Sequence, residues 1–177
     1  MILPPSRHQT RLDRKFRALL SERAVQTAVG TDGMTVQIGP ELRFSVLHPS
    51  RNDGFTENAL DNLSLVVKME FQKSSVLFTG DIYREAENRL IRRHAKNLRS
   101  TVLKIPHHGS RKASSWTFLS RVRPEFSIIS CGRNNVYGFP HADVLERLSR
   151  ISPSIHRTDK QGTLRLRFHK GRMIPRM

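Results

Sequence analysis

The sequence holds a single cysteine, Cys131, so the 177-residue chain can form no disulfide within itself and no cysteine-rich zinc knuckle. Any metal it binds must be held by histidine and carboxylate groups. No stretch approaches the roughly eighteen consecutive apolar residues that a membrane-crossing helix needs, and the opening MILPPSRHQTRLDRKFR has too short an apolar run for a signal peptide. Taken alone, these absences predict a soluble, cytoplasmic chain. There is no internal repeat and no low-complexity tract, and the length suits one domain with a sizeable core. Acidic residues are scarce: 15 Asp and Glu stand against 31 Lys and Arg, a formal charge of +16. That excess favours partners carrying phosphate or other anions, with a solvated basic surface as the plainer alternative. It gathers at the ends, where residues 1–23 hold six basic and two acidic groups and residues 157–177 hold seven and one. Those ends are the segments expected to face a polyanion.

Hydrophobic spacing predicts a mixed α and β chain. Leu12, Phe16, Leu19 and Leu20 share one face of a basic amphipathic helix over 11–23. TVQI and RFSVLH read as strands, followed by the polar loop PSRNDGFTEN. In LSLVVKMEF every odd position from Leu63 to Phe71 is apolar, and SVLFTGD follows closely, so the two read as a hairpin. A helix over 85–98, a strand TVLKI, a helix over 114–122, a strand FSIIS, a helix ADVLERLSR and a strand TLRLRF complete the order. HRTDKQG places Asp159 and Gly162 in a turn between strands, the pattern of a hairpin.

Three strand ends deliver side chains with chemistry. Asp81 closes SVLFTG after a glycine; it serves either as the N-cap of the next helix or as a carboxylate pointing into a cleft. His107 and His108 follow TVLKI and precede Gly109 and Ser110, a pair suited to ligation or proton transfer. If that segment is extended, the two rings point opposite ways, one toward a metal and the other behind it. SCGRNNVYGFPH is a turn-rich loop that brings amide, phenol and imidazole groups, Asn135, Tyr137 and His141 among them, above a sheet; the plain alternative is an ordinary loop with His141 opening a helix. Carboxylate plus imidazole suits zinc or manganese. Two such ions bridged by an aspartate generate hydroxide at neutral pH and stabilise both oxygens of a phosphoryl displacement.

Together DNLSLVV, LFTGD, LKIPHHGS, IISCGRNNVYGFPH and HRTDKQG resemble, from about residue 42 to 168, the metallo-β-lactamase superfamily, and within it the C-terminal hydrolase-like domain of ComEC-type DNA-internalisation (competence) proteins. The resemblance implies an α+β fold of the αββα sandwich type, one or two divalent metals (zinc or manganese), and cleavage of phosphodiesters in the DNA strand that is not taken up. It implies that Asp81 bridges the metals, that His107, His108 and His141 are ligands or lie close behind them, and that Ser110 holds the loop or touches substrate. Asn62, Ser64, Asn135 and Tyr137 would contact substrate.

Three departures qualify the match. The family's first metal motif, a HxDxDH-like run, is absent; HPSRND at His48 to Asp53 is not a substitute, because no histidine follows Asp53. The sandwich is therefore expected to be incomplete, a C-terminal portion lacking roughly its first half. Phe139 stands where the family reads the first histidine of YGHPH, and Asp61 replaces the first asparagine of its NNxSLV segment. The expected organisation is a basic segment over 1–34, the partial domain over 35–170 and a basic tail over 171–177.

The function expected from these features is a metal-dependent phosphodiesterase or nuclease of DNA uptake, inactive alone unless another chain supplies the missing half. That chain, or a membrane DNA channel, would be its partner, and the protein would be membrane-associated if it works with such a channel. The alternatives are a non-catalytic basic module that binds nucleic acid and a half-domain that folds only with a partner, because a sandwich short of strands leaves open edges.

Overall fold

The computed structural model describes residues 1–5, 10–53, 57–169 and 172–176. The N-terminal part comprises β1 (Ile2–Leu3), α1 (Arg11–Glu22) and β2 (Ala28–Val29), with β1 and β2 paired in parallel. The Thr10 hydroxyl caps α1 by accepting from the Asp13 N–H at 3.0 Å, and Asp13 pairs with Arg17 one turn on at 2.8 Å. Only Leu20 of its apolar face is buried; Leu12, Phe16 and Leu19 are 77%, 40% and 48% exposed. The loop expected over PSRNDGFTEN lies partly outside the described residues, as do positions 171 and 177 of the expected tail.

Next come β3 (Thr35–Ile38), β4 (Leu42–His48), a 3-10 stretch (Glu57–Leu63), β5 (Val66–Phe71), β6 (Ser74–Phe78) and α2 (Arg84–His94). They lead to β7 (Val102–Lys104), a short 3-10 segment (Pro106–Gly109), α3 (Trp116–Val122), β8 (Phe126–Ile129), α4 (Ala142–Ser149) and β9 (Ser154–Arg157). The strands form one seven-stranded sheet in the order β3-β4-β5-β6-β7-β8-β9, antiparallel from β3 to β6 and parallel from β6 to β9. The predicted hairpin is β5–β6, in register from Val67 opposite Phe78 to Phe71 opposite Ser74.

Period-two alternation sorts the strands onto two faces. Leu77, Leu103 and Ile129 join Ile82 just before α2, Ala86 and Leu90 of α2, Phe118, Leu119 and Val122 of α3, and Val144 and Leu148 of α4 in the main core. Their neighbours Val76, Val102 and Ile128 face the other way, where Leu166 and Phe168 cover them. Those two belong to β10 (Arg165–His169), which pairs with β11 (Arg172–Arg176) after the one-turn α5 (Thr158–Gln161).

The protein is thus α+β, with helices on one face of a mixed sheet, an arrangement compatible with an α/β sandwich. Among the described residues the opposite face carries a two-stranded hairpin in place of the second sheet of an αββα sandwich. The hairpin expected at Asp159 and Gly162 does not form: β9 pairs with β8 and β10 with β11. The Arg157 guanidinium grips Asp159 at 3.0 and 2.6 Å, and the Thr158 hydroxyl both accepts from the Cys131 N–H and donates to its carbonyl at 2.9 Å. These bonds hold the segment as a helical turn against the end of β8. α2 also ends at His94 rather than Leu98, closed by a turn in which the Asn97 N–H bonds the His94 carbonyl at 2.7 Å. No described helix is long and apolar enough to cross a membrane.

One buried charge ties the helices to the loop after β7. The Glu87 carboxylate on α2 accepts from the Ser114 and Ser115 N–H groups at 2.5 and 3.0 Å. Burial pushes its carboxyl up, against the pull of those donors.

Candidate functional site

At the C-terminal ends of β6, β7 and β8 a cleft of about 600 Å³ opens, and Asp61, Asp81, Tyr83, His107, His108 and Phe139 are among its lining. A crevice outside the carboxyl ends of parallel strands is the usual ligand position in such sheets. Asp81 is not a helix cap: Tyr83 is the N-cap of α2 and makes no side-chain capping bond. The Asp81 N–H is held by the Ser64 hydroxyl at 3.2 Å, and the preceding Gly80, at φ +55°, has no room for a Cβ, which would come 2.6 Å from that of Ser64.

His107 and His108 do not alternate. Both adopt left-handed backbone, with φ of 45° and 55°, and both rings line the cleft. Extended geometry would have sent one ring away; the left-handed pair turns the chain back so that both stay, at a strain of about 1–2 kcal/mol per residue. The His107 Nδ1–H donates to the Asp81 carbonyl at 3.0 Å, and its ring stacks on Tyr83 at 4.7 Å. The His108 Nδ1–H donates to the Ser130 carbonyl at 2.6 Å. A carbonyl can only accept, so Nδ1 is the donor in each ring and Nε2 is the atom left to face the cleft. The His108 Nε2 faces the Asp81 Oδ2 at 3.4 Å. A ring nitrogen and a carboxylate oxygen at that separation can share a proton or a cation.

Lys104 supplies a charge on the other side of the carboxylate. Its Nζ lies 3.8 Å from the Asp81 Oδ1 and donates to the Gly80 and Ile105 carbonyls at 3.3 Å each. Burial pulls its ammonium down, and Asp81 opposes that pull. Asp61 approaches the His107 Nδ1 at 3.9 Å. The Tyr83 hydroxyl is pushed up to about 12 by burial, by its hydrogen bond to Asp61 and by the charges of Asp61 and Asp81.

Of the other expected site residues, Asn135 and Tyr137 also line the cleft, whereas Asn62, Ser64, Ser110 and His141 lie outside its lining. Asn62 is buried beneath the cleft, its Oδ1 accepting from the Tyr83 N–H at 2.8 Å and its carbonyl from the His48 Nε2 at 2.6 Å. Ser64 stands behind Asp81, and Ser110 is buried in the loop, its N–H closing a turn onto the His107 carbonyl at 2.9 Å. His141 is the N-cap of α4, and its Nδ1 accepts from the Arg111 N–H at 3.1 Å. The Phe139 ring lies 5.2 Å from His141 and 5.7 and 6.3 Å from His107 and His108. Asn135 braces its own loop, and Tyr137 is exposed beside Phe139. Sequence reasoning passed over Lys104 and Tyr83. A lone lysine in an apolar strand and a tyrosine two residues after Asp81 were the available signals.

The donor set fits a metal in part. Two ligands about 2.1 Å from a tetrahedral zinc stand about 3.4 Å apart, which is the spacing of the His108 Nε2 and the Asp81 Oδ2. Yet among the described residues no group of three or more His, Cys, Asp or Glu side chains is arranged to hold a metal ion. Two donors without a third do not make a complete catalytic site.

No protein-family model matches the chain. It is 36% identical over 156 residues to ComE operon protein 3 of Bacillus subtilis, a match covering 88% of this chain and 20% of that protein. It is 38% identical over 133 residues to Recombination protein 2 of Haemophilus influenzae, covering 75% and 16%. With Competence protein ComA of Neisseria gonorrhoeae it shares 33% identity over 128 residues, covering 72% and 18%. The chain thus spans a fifth or less of the length of these relatives, and the similarities support kinship with the competence (ComEC-type) family.

Proposed function

We propose that this chain, kin over most of its length to a segment of competence proteins, acts on DNA during uptake as part of a metal-dependent phosphodiesterase of metallo-β-lactamase type. The observation that carries the proposal is the Nε2 of His108 facing the Asp81 carboxylate at 3.4 Å in a cleft at the strand ends. Asp81 and His108 are the ligand pair, with His107 beside them. Zinc or manganese there would supply Lewis-acid chemistry at a phosphodiester. The remaining ligands would lie outside the described residues, which offer too few. A net charge of +16 draws the DNA in.

Zinc titrated calorimetrically into the metal-free chain is expected to fill one weak site that Asp81→Ala removes. Uptake unchanged by Asp81→Ala would overturn the ligand assignment. The charge also favours a non-catalytic role in holding nucleic acid. The chelated protein separates the two: DNA retention that ignores chelator and falls steeply with salt, without cleavage once metal is restored, leaves only the binding role.

A further inference from the structure

We propose that the loop after β8 is a base-stacking platform, with Tyr137 and Phe139 as its rings, and that the substrate strand enters the cleft single-stranded with an unpaired nucleobase against Tyr137. The inference rests on the reading of this chain as a protein that acts on DNA.

Tyr137 and Phe139 are stacked, with ring centroids 5.4 Å apart and planes 18° from parallel. Phe139 in turn lies 22° from parallel with His108, so the two rings run from solvent to the reacting end of the cleft. Tyr137 is 70% exposed. An aromatic ring held outside the core leaves a large apolar face in water, a cost that a stacked base removes.

The platform is ordered before any ligand arrives. The Asn135 Oδ1 accepts from the Phe139 N–H at 2.8 Å, while its amide donates to the Phe139 and Gly132 carbonyls at 2.7 and 2.9 Å. Ordering the loop therefore takes little from the binding free energy. Across the cleft Lys112 stands exposed over the Tyr83 ring at 5.8 Å, a cation positioned for a backbone phosphate. An exposed aromatic face on a chain of charge +16 suits single strands. A duplex hides its base faces in its own stack and would have to unstack to use them.

The test measures fluorescence anisotropy of the 177-residue chain with three labelled probes of equal length at one salt concentration: oligothymidylate, an abasic strand and a duplex. Oligothymidylate is expected to bind about tenfold more tightly than the abasic strand. Tyr137→Ala should weaken oligothymidylate by about tenfold and leave the abasic strand unchanged, whereas Tyr137→Phe should bind as the parent does. Tyr137 lies outside the core, so its replacement leaves the fold intact, and circular dichroism checks this. Equal binding of the oligothymidylate and abasic probes, or a Tyr137→Ala variant indistinguishable from the parent, overturns the platform while leaving DNA binding intact. Failure of all three probes to bind overturns the DNA reading itself.

Discussion

Replacing Asp53 with alanine is expected to destabilise the protein by about 3–5 kcal/mol, the cost of breaking a buried charge network by removing one partner. The Asp53 side chain is fully buried. Its Oδ1 accepts from Arg89 at 2.8 Å and Arg93 at 2.6 Å, and its Oδ2 accepts from Arg93 and from the Ser50 N–H at 2.8 Å each. The His48 Nδ1 lies 3.4 Å from the same Oδ2, and His48 bonds the Asn62 carbonyl. Asn62 then holds the Tyr83 N–H, so the network underlies one wall of the cleft.

Burial alone would raise the Asp53 carboxyl, but Arg93, the Ser50 N–H and Arg89 together outweigh it and hold the group well below its ordinary value of 3.8. A depressed carboxyl contributes stability that is fully present above the unfolded value and is lost as pH falls through the folded one. The gap between parent and Asp53→Ala should therefore be constant near neutral pH and shrink below about pH 4. Urea denaturation across a pH series measures it. A gap under about 1 kcal/mol at neutral pH, or one that grows on acidification, would contradict the network's role.

Gly109→Ala is expected to cost about 2–5 kcal/mol, combining about 1–2 for a left-handed residue that carries a Cβ with about 1–3 for overpacking. Gly109 has φ +87°, and a Cβ there would sit 2.5 Å from the Pro140 Cβ and 3.0 Å from its Cα. The backbone must give way on one side, moving either the histidine segment or the loop that carries Phe139, and both carry groups that face Asp81 or His108. Gly138→Ala provides the comparison. It shares a left-handed φ of +67° but has nothing within 4 Å of its Cβ position, so it should lose only the conformational part. Thermal melts of the two variants, with the His108 ring resonances followed by NMR, test both claims. Equal losses would remove the Pro140 contact as the cause.

Much of the sheet was legible in the chain. The odd-numbered apolar positions of LSLVVKMEF predict β5, and Val67 and Met69 do share the face that the β10–β11 hairpin partly covers. Apolar spacing also found α2, α3 and α4, with boundaries off by a few residues where turns such as that at Asn97 end a helix. At the site, Asp81, His107 and His108 were recognised as strand-end residues and do line one cleft. His141 was recognised with them, yet it is not among the residues that line the cleft and meets Phe139 instead. Neither Lys104 at Asp81 nor Tyr83 against His107 was anticipated, because each meets its partner through a neighbouring strand or a turn rather than through its own periodicity.

By itself the sequence determined the mixed order of elements, the basic charge, the exclusion of an internal disulfide and the strand-end position of the reactive side chains. Each of these follows from composition or from short-range alternation along the chain. Tertiary structure alone decided that both histidines face the cleft, that Asp159 docks beside Cys131 instead of turning a hairpin, and that Tyr137 and Phe139 stand as paired rings at its mouth. Those outcomes depend on contacts between distant segments, such as Gly109 against Pro140 and Thr158 against Cys131, and on left-handed backbone that such contacts must hold in place.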